Sequence, residues 1–256
     1  MSTKVAKPKR KRSSAAKGPK VVARAGDDLD TSVSVPSRQP NLQPIRGENM
    51  HDRYKTILLF GPPGVGKGTQ GKVLARIPGF FHSSTGDIFR NLDASSDLGR
   101  LFFQYSSKGE LVPDDVTMRI WNQNVYANSI LGLFKPYADL LILDGLPRSV
   151  NQAKELYRYC DVLKVVHLVC KDKEQLFDRM RKRAMKENRA DDAKPDVIRR
   201  RFEVYENETK KVLEFYPAED IVEVNAMNSP AEVLHDILGG LVQMQDAHFN
   251  KGEPEE

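Results

Sequence analysis

The stretch TILLFGPPGVGKGTQGKVLAR, Thr56 to Arg76, breaks an apolar run at a loop of glycine and proline and resumes with helical spacing. Thr56 to Phe60 is short and carries no charge, as a strand buried on both faces requires. Gly61 follows it, and Gly64, Gly66 and Gly68 remove side chains where the backbone must bend and come close to something. Lys67 falls at the start of the helix. The spacing G-x-x-x-x-G-K is that of a phosphate loop, in which backbone N–H groups and a helix N-terminus surround a polyphosphate while the lysine meets its outer phosphates. Ser or Thr ordinarily follows this lysine; here Gly68 does, and the hydroxyl of Thr69 stands one place later.

Outward from the loop, LLILDG, KVVHLVC and DIVEVN are further short apolar or β-branched runs. Stretches of helical period, such as KDKEQLFDRMRKRAMKEN and KPDVIRRRFEVYENETKKVLEFY, lie between or beside them. Strand and helix alternating in this way predict an α/β fold with a central parallel sheet, whose ligands sit at the carboxyl ends of the strands. A chain of 256 residues, 39% of them hydrophobic, can bury one sizeable core. A mean hydropathy of −0.52 fits a soluble protein, no apolar run approaches the ~18 residues of a membrane span, and no signal peptide is evident, so a cytoplasmic enzyme is expected. Cys160 and Cys170 form no metal-spaced pair, which leaves neither a disulfide framework nor a four-cysteine zinc site, and both read as small core residues.

The net charge of +5 belongs to one end of the chain. Residues 1–50 hold eleven Lys/Arg against four Asp/Glu, which leaves the rest of the chain at −2. The segment 1–53 has no strand or helix period and reads as a disordered basic tail, and 247–256 as a short acidic one. Contact with nucleic acid is expected only through the basic tail, where a solvated tail without a fixed partner is the stronger reading.

The sequence GPPGVGKGTQ closely resembles the phosphate loop of the adenylate kinase family, which carries the same Gly-Lys-Gly-Thr-Gln run. By that resemblance Gly64, Val65, Gly66, Lys67, Gly68 and Thr69 cradle ATP. Three further segments look like a site for AMP. In HSSTGDIFR, Thr85 would lie near the base and Arg90 on the phosphate, although Thr85 and Asp87 could also serve as helix caps. In KGELVPDD, the backbone of Glu110, Leu111 and Val112 would run along the adenine. LILDGLPRSVNQA resembles the family's Asp-Gly-Phe-Pro-Arg motif, with Leu146 in place of the phenylalanine. There Gly145, Leu146 and Pro147 would line the acceptor site, Arg148 would clamp the acceptor phosphate, and Gln152 would read the adenine edge. Asp144, at a strand end, would hold Mg²⁺ through water.

The segment DRMRKRAMKENRADDAKPDVIRRRFEVY resembles the family's lid and the helix after it. Arg179 and Arg183, with Asn228 further on, match positions on the donor nucleotide; Arg189 matches the arginine preceding Asp191-Asp192 and Arg201 the last of the family's set, and both are implied in the AMP site. Lys67, Arg148, Arg183, Arg189 and Arg201 are thus the catalytic set. One extra residue after Asp192 leaves Arg200 as the alternative to Arg201. Arg181, Arg199 and Arg200 otherwise match nothing specific. AMKEN stands where many short members have a glycine-flanked turn, and the zinc ligands of long-lid members are missing, so no structural zinc is expected.

The resemblance runs from about Tyr54 to Leu241 and implies a P-loop kinase domain over 54–246. It would have a five-stranded parallel sheet flanked by helices, a mobile nucleoside-monophosphate segment near 83–113, and a short lid near 179–195. The implied reaction is ATP + AMP ⇌ 2 ADP with Mg²⁺ in a monomer. UMP/CMP kinases of the superfamily tend to have alanine in place of Thr85 and asparagine in place of Gln152, so these two residues favour AMP. The alternatives are a UMP/CMP-type kinase and a nucleotide-binding regulator acting through its basic tail.

Overall fold

The computed structural model describes residues 53–187, 189 and 194–250, with backbone alone for the last two. Of the expected tails 1–53 and 247–256, residues 1–52 and 251–256 lie outside the described residues, as do Asp191 and Asp192 of the lid, whereas residues 247–250, expected as flexible, belong to the C-terminal helix.

Five parallel strands form one sheet: β1 (Tyr54–Phe60), β2 (Phe80–Ser84), β3 (Leu140–Asp144), β4 (Cys160–Val169) and β5 (Ile221–Asn225), in the order β2-β3-β1-β4-β5. The uncharged run at Thr56–Phe60 becomes the central strand because it can be covered on both faces. Leu58 and Phe60 enter one core with Trp121, Leu143 and Val165. Ile57 and Leu59, the alternate residues, enter the other with Leu74, Ile142, Leu168 and Ile237. Each fully buried aliphatic side chain contributes about 1.5–3 kcal/mol relative to exposure, so this run alone anchors the sheet.

Helices connect the strands. They are α1 (Lys67–Leu74), α2 (Thr85–Arg90), α3 (Asp97–Ser106), α4 (Asp114–Ile130), α5 (Val150–Leu156), α6 (Lys173–Lys186), α7 (Pro195–Val204) and α8 (Pro230–Asn250). The stretch expected as one helix from Pro195 onward changes form at Tyr205, passing through a π-helical turn (Tyr205–Thr209) and a 3₁₀ segment (Lys210–Phe215). Arg53, assigned to the tail in the sequence, packs on the domain: its guanidinium donates to Tyr157 O at 2.9 Å and lies over the Tyr157 ring. The segment from α2 to the start of α4 has a small core of its own, formed by Phe89, Val112, Val116 and Ile120, with Phe89 stacked on Phe102.

Register is what builds the site. Leu59 of β1 and Ser84 of β2 both stand opposite Asp144 of β3, so these three strands end at one level. The loops that follow therefore open onto a common cleft, as a parallel sheet requires. Among the described residues no helix is long and apolar enough to cross a membrane.

Candidate active site

The loop after β1 turns through three left-handed glycines, Gly61 (φ 139°), Gly64 (φ 78°) and Gly66 (φ 109°). A side chain at Gly61 would meet Leu168 O at 2.5 Å, and one at Gly64 would meet Leu176 O at 2.8 Å, so the loop can lie this close to β4 and α6 only without them. Gly66 caps α1 with no side-chain hydrogen bond, which leaves the first N–H groups of the helix directed into the cleft. Lys67 folds back over the loop and donates to Gly61 O (2.7 Å) and Pro62 O (3.0 Å). Burial lowers its pKa to about 8, with Arg148 and Arg183 pressing the same way and Asp144 opposing.

The cleft has a volume of about 890 Å³, at the upper end for ligand sites. Its lining includes Gly64 to Thr69, Arg179, Arg183 and Asn228, together with Thr85, Arg90, Glu110 to Val112, Gly145 to Arg148 and Gln152. Asp144, Arg189 and Arg201 complete the wall, so every site residue named from the sequence is brought to this one cavity. Arg201 lines it whereas Arg200 pairs with Glu203 at 3.1 Å, which separates two neighbours that sequence spacing left open. Ser84, not Thr85 or Asp87, supplies the side-chain cap of α2, accepting from Asp87 N at 3.3 Å. Thr85 Oγ1 is buried and has no hydrogen-bond partner in the described structure.

Positive charge converges on this cavity. Burial and the nearby Arg183 and Arg90 lower the pKa of Arg189, whose Nε donates to Glu187 at 2.6 Å while Nη2 stands 3.9 Å from Asp87. Arg90 donates to Asp87 at 2.6 Å, and burial of that carboxyl is outweighed by Arg90, Lys72 and Arg189, which hold its pKa below the usual range. Arg179 donates to Ala226 O at 3.2 Å. The adenylate kinase family model matches residues 59–221. The adenylate kinase of Kocuria rhizophila is 37% identical over 191 residues, covering 72% of this chain and 97% of that protein. Those of Nocardioides sp. (38% over 194 residues, 72% and 96%) and Thermoanaerobacter sp. (35% over 215 residues, 71% and 95%) are similar in extent.

The chain belongs to the adenylate kinase family.

Within this adenylate kinase, one part of the site gave no signal in the sequence. The His82 side chain from β2 is buried, with Nε2 lacking a hydrogen-bond partner and lying 3.8 Å from Asp144 Oδ2. At that distance the attraction is Coulombic rather than a hydrogen bond. Burial raises the Asp144 pKa, but the neighbouring His82, Lys67 and Arg148 outweigh it and keep the carboxyl below its ordinary value. The imidazole is seated against Gly71 of α1, where an added Cβ would collide with His82 Nε2. Gly71→Ala is therefore expected to push the ring off Asp144 and destabilise the protein by about 1–3 kcal/mol, the range for overpacking. Thermal unfolding checks this, and His82→Ala in the Gly71→Ala background should recover stability; additive losses would contradict the contact.

Among the described residues no group of three or more His, Cys, Asp or Glu is arranged to hold a metal ion. Cys160 is buried in the core, where burial pushes its thiol up to about 12, and Cys170 is half-buried.

Proposed function

We infer that this adenylate kinase transfers the terminal phosphoryl group of ATP to AMP, reversibly giving two ADP. The convergence of Lys67, Arg90, Arg148, Arg183, Arg189 and Arg201 on one cleft carries this reading. That concentration of cations, offset in part by Asp87, Asp144 and Glu187, favours a polyanion, and two facing nucleotides supply one. The loop Gly64–Thr69, with Arg179, Arg183 and Asn228, would hold the donor. Thr85, Arg90, Glu110 to Val112, Gly145 to Arg148 and Gln152 would hold the acceptor. Arg189 and Arg201 would reach both. Transfer needs no covalent intermediate: positioning the two phosphates in line, excluding water and neutralising charge suffice.

The site also fits a hard cation brought in with ATP. The Asp144 carboxylate is buried, kept ionised, and faces the loop where Gly68 leaves room, with Oδ2 3.4 Å from where a side chain would begin. Asp144 would hold Mg²⁺ through water, with the hydroxyl of Thr69 nearby. When bound, the ion would supply positive charge that offsets the charge of the phosphates during transfer. The family resemblance implies a monomer, and two free cysteines, Cys160 and Cys170, suit a reducing cytoplasm.

The test is a coupled assay of Mg-ATP with AMP, UMP, CMP and GMP in parallel. Turnover chiefly with AMP supports the reading, and preference for UMP or CMP would overturn it. Thr85 and Gln152 are 4% and 1% exposed on the acceptor side, so a base that leaves their polar atoms unpaired is penalised. Thr85→Ala combined with Gln152→Asn is expected to narrow the kcat/KM preference for AMP over UMP by about tenfold. An unchanged ratio would count against both assignments.

A further inference from the structure

We propose that Asp114 determines which base the acceptor site takes, by fixing the side-chain amide of Gln152 in one of its two orientations. The proposal rests on the reading above that Gln152 faces the acceptor base.

Gln152 lies almost wholly buried near the start of α5 and lines the cleft; Asp114 opens α4 and does not. Gln152 Nε2 donates to Asp114 Oδ1 at 2.6 Å, and Gln152 Oε1 accepts from the Arg148 backbone N–H at 2.7 Å. The second carboxylate oxygen of Asp114 accepts from Ser149 Oγ at 2.8 Å, and Ser149 Oγ accepts from Gln152 N at 3.0 Å. The carboxylate is thus held by two donors and cannot swing away from the amide.

An amide end can be turned over with almost no change of shape, so its orientation is decided by its partners. Here one partner offers only acceptor oxygens and the other only a donor. A turned amide would set oxygen against oxygen and N–H against N–H inside a buried site, where unpaired polar groups are penalised most. One N–H and one oxygen lone pair of Gln152 remain for the cleft, in fixed order. Adenine presents a 6-amino donor beside the N1 acceptor; a 6-oxopurine presents the reverse pair. Held by the Arg148 N–H alone, the amide would turn at lower cost and so serve either edge, whereas held by Asp114 as well it serves a single edge. Asp114 is therefore a positioning residue that confers specificity without touching the base.

The experiment compares kcat and KM for AMP and for inosine monophosphate, a 6-oxopurine, in the wild type and in Asp114→Ala, Asp114→Asn and Gln152→Ala. Asp114→Ala is expected to raise KM for AMP about tenfold, leave kcat within about threefold, and lower the AMP-to-IMP ratio of kcat/KM about tenfold. Asp114→Asn retains an acceptor for Gln152 and a group for Ser149, so its ratio should stay within about threefold of wild type. If Asp114→Ala does not fold, Asp114→Ser, equally unable to span to Gln152, takes its place. An unchanged ratio in the alanine or serine variant, with Gln152→Ala lowering it, overturns the role of Asp114 alone. So does a fall in kcat for both acceptors alike, which would mark a tether between α4 and α5. An unchanged ratio in Gln152→Ala overturns the reading of Gln152 itself, and the proposal with it.

Discussion

Lys67→Met is expected to abolish phosphoryl transfer, by about 10³-fold or more in kcat, and at the same time to stabilise the nucleotide-free protein at pH 7. The lysine is the one cation inside the phosphate loop, and methionine keeps its length while removing its charge. The stability gain follows from the pKa. Burial holds the folded-state value at about 8 against 10.5 for the ordinary group, so the unfolded chain binds this proton more tightly. Below pH 8 the folded protein carries the full penalty of a charged lysine; as pH rises from about 8 to 10.5 that penalty disappears. Lys67 as a residue is half-buried, so the penalty amounts to about 1–2 kcal/mol rather than the full value of the shift. Thermal unfolding of wild type and variant without nucleotide, at pH 7 and near pH 10, should show Lys67→Met the more stable at pH 7 and the difference shrinking at the higher pH. Retained turnover would remove Lys67 from the mechanism. A variant less stable by the same amount at both pH values would remove the burial penalty.

The same opposition of stability and function explains how much of the molecule its sequence discloses. The strands β1, β3, β4 and β5 are legible because burial on one or both faces forces apolar or β-branched runs on them. The edge strand β2 is not legible by that signal: FFHSS carries His82 and Ser83 inward and Ser84 as a helix cap, so it looks polar. Only pairing along β3 makes it a strand. The site residues were found through the motif resemblance, which marks positions and not contacts. The link between Asp114 and Gln152 spans 38 residues, and the contact between Gly71 and His82 joins a helix to a strand. Neither leaves a local period to read. Arg200 and Arg201 differ only in the phase of α7, which is set by packing of Val197, Ile198 and Val204 rather than by the arginines themselves.

Arg148→Ala is expected to lower kcat/KM for AMP by about 10³-fold, with both a higher KM and a lower kcat, and without unfolding the protein. The guanidinium is held by its own turn: Nε donates to Gly145 O at 2.8 Å, and the left-handed Gly145 (φ 83°) leaves room beside it, since a Cβ there would lie 3.0 Å from Nη2. The fork is therefore placed before any phosphate arrives, and the ordering entropy is spent in folding and not in binding. Arg148→Lys should recover only a small part of the loss, because a point charge on a flexible stem cannot grip two phosphate oxygens at once. An independent readout comes from Lys67. Arg148 is one of the charges that lower its pKa, so in Arg148→Ala the titration of Lys67, followed by NMR, should move upward from about 8. Near-normal turnover in the alanine variant would mean that the acceptor phosphate is held elsewhere. Lost turnover with an unmoved Lys67 would mean that the two groups do not share one field, and a cleft that draws donor and acceptor phosphates together through a common positive potential would then be the wrong description of this site.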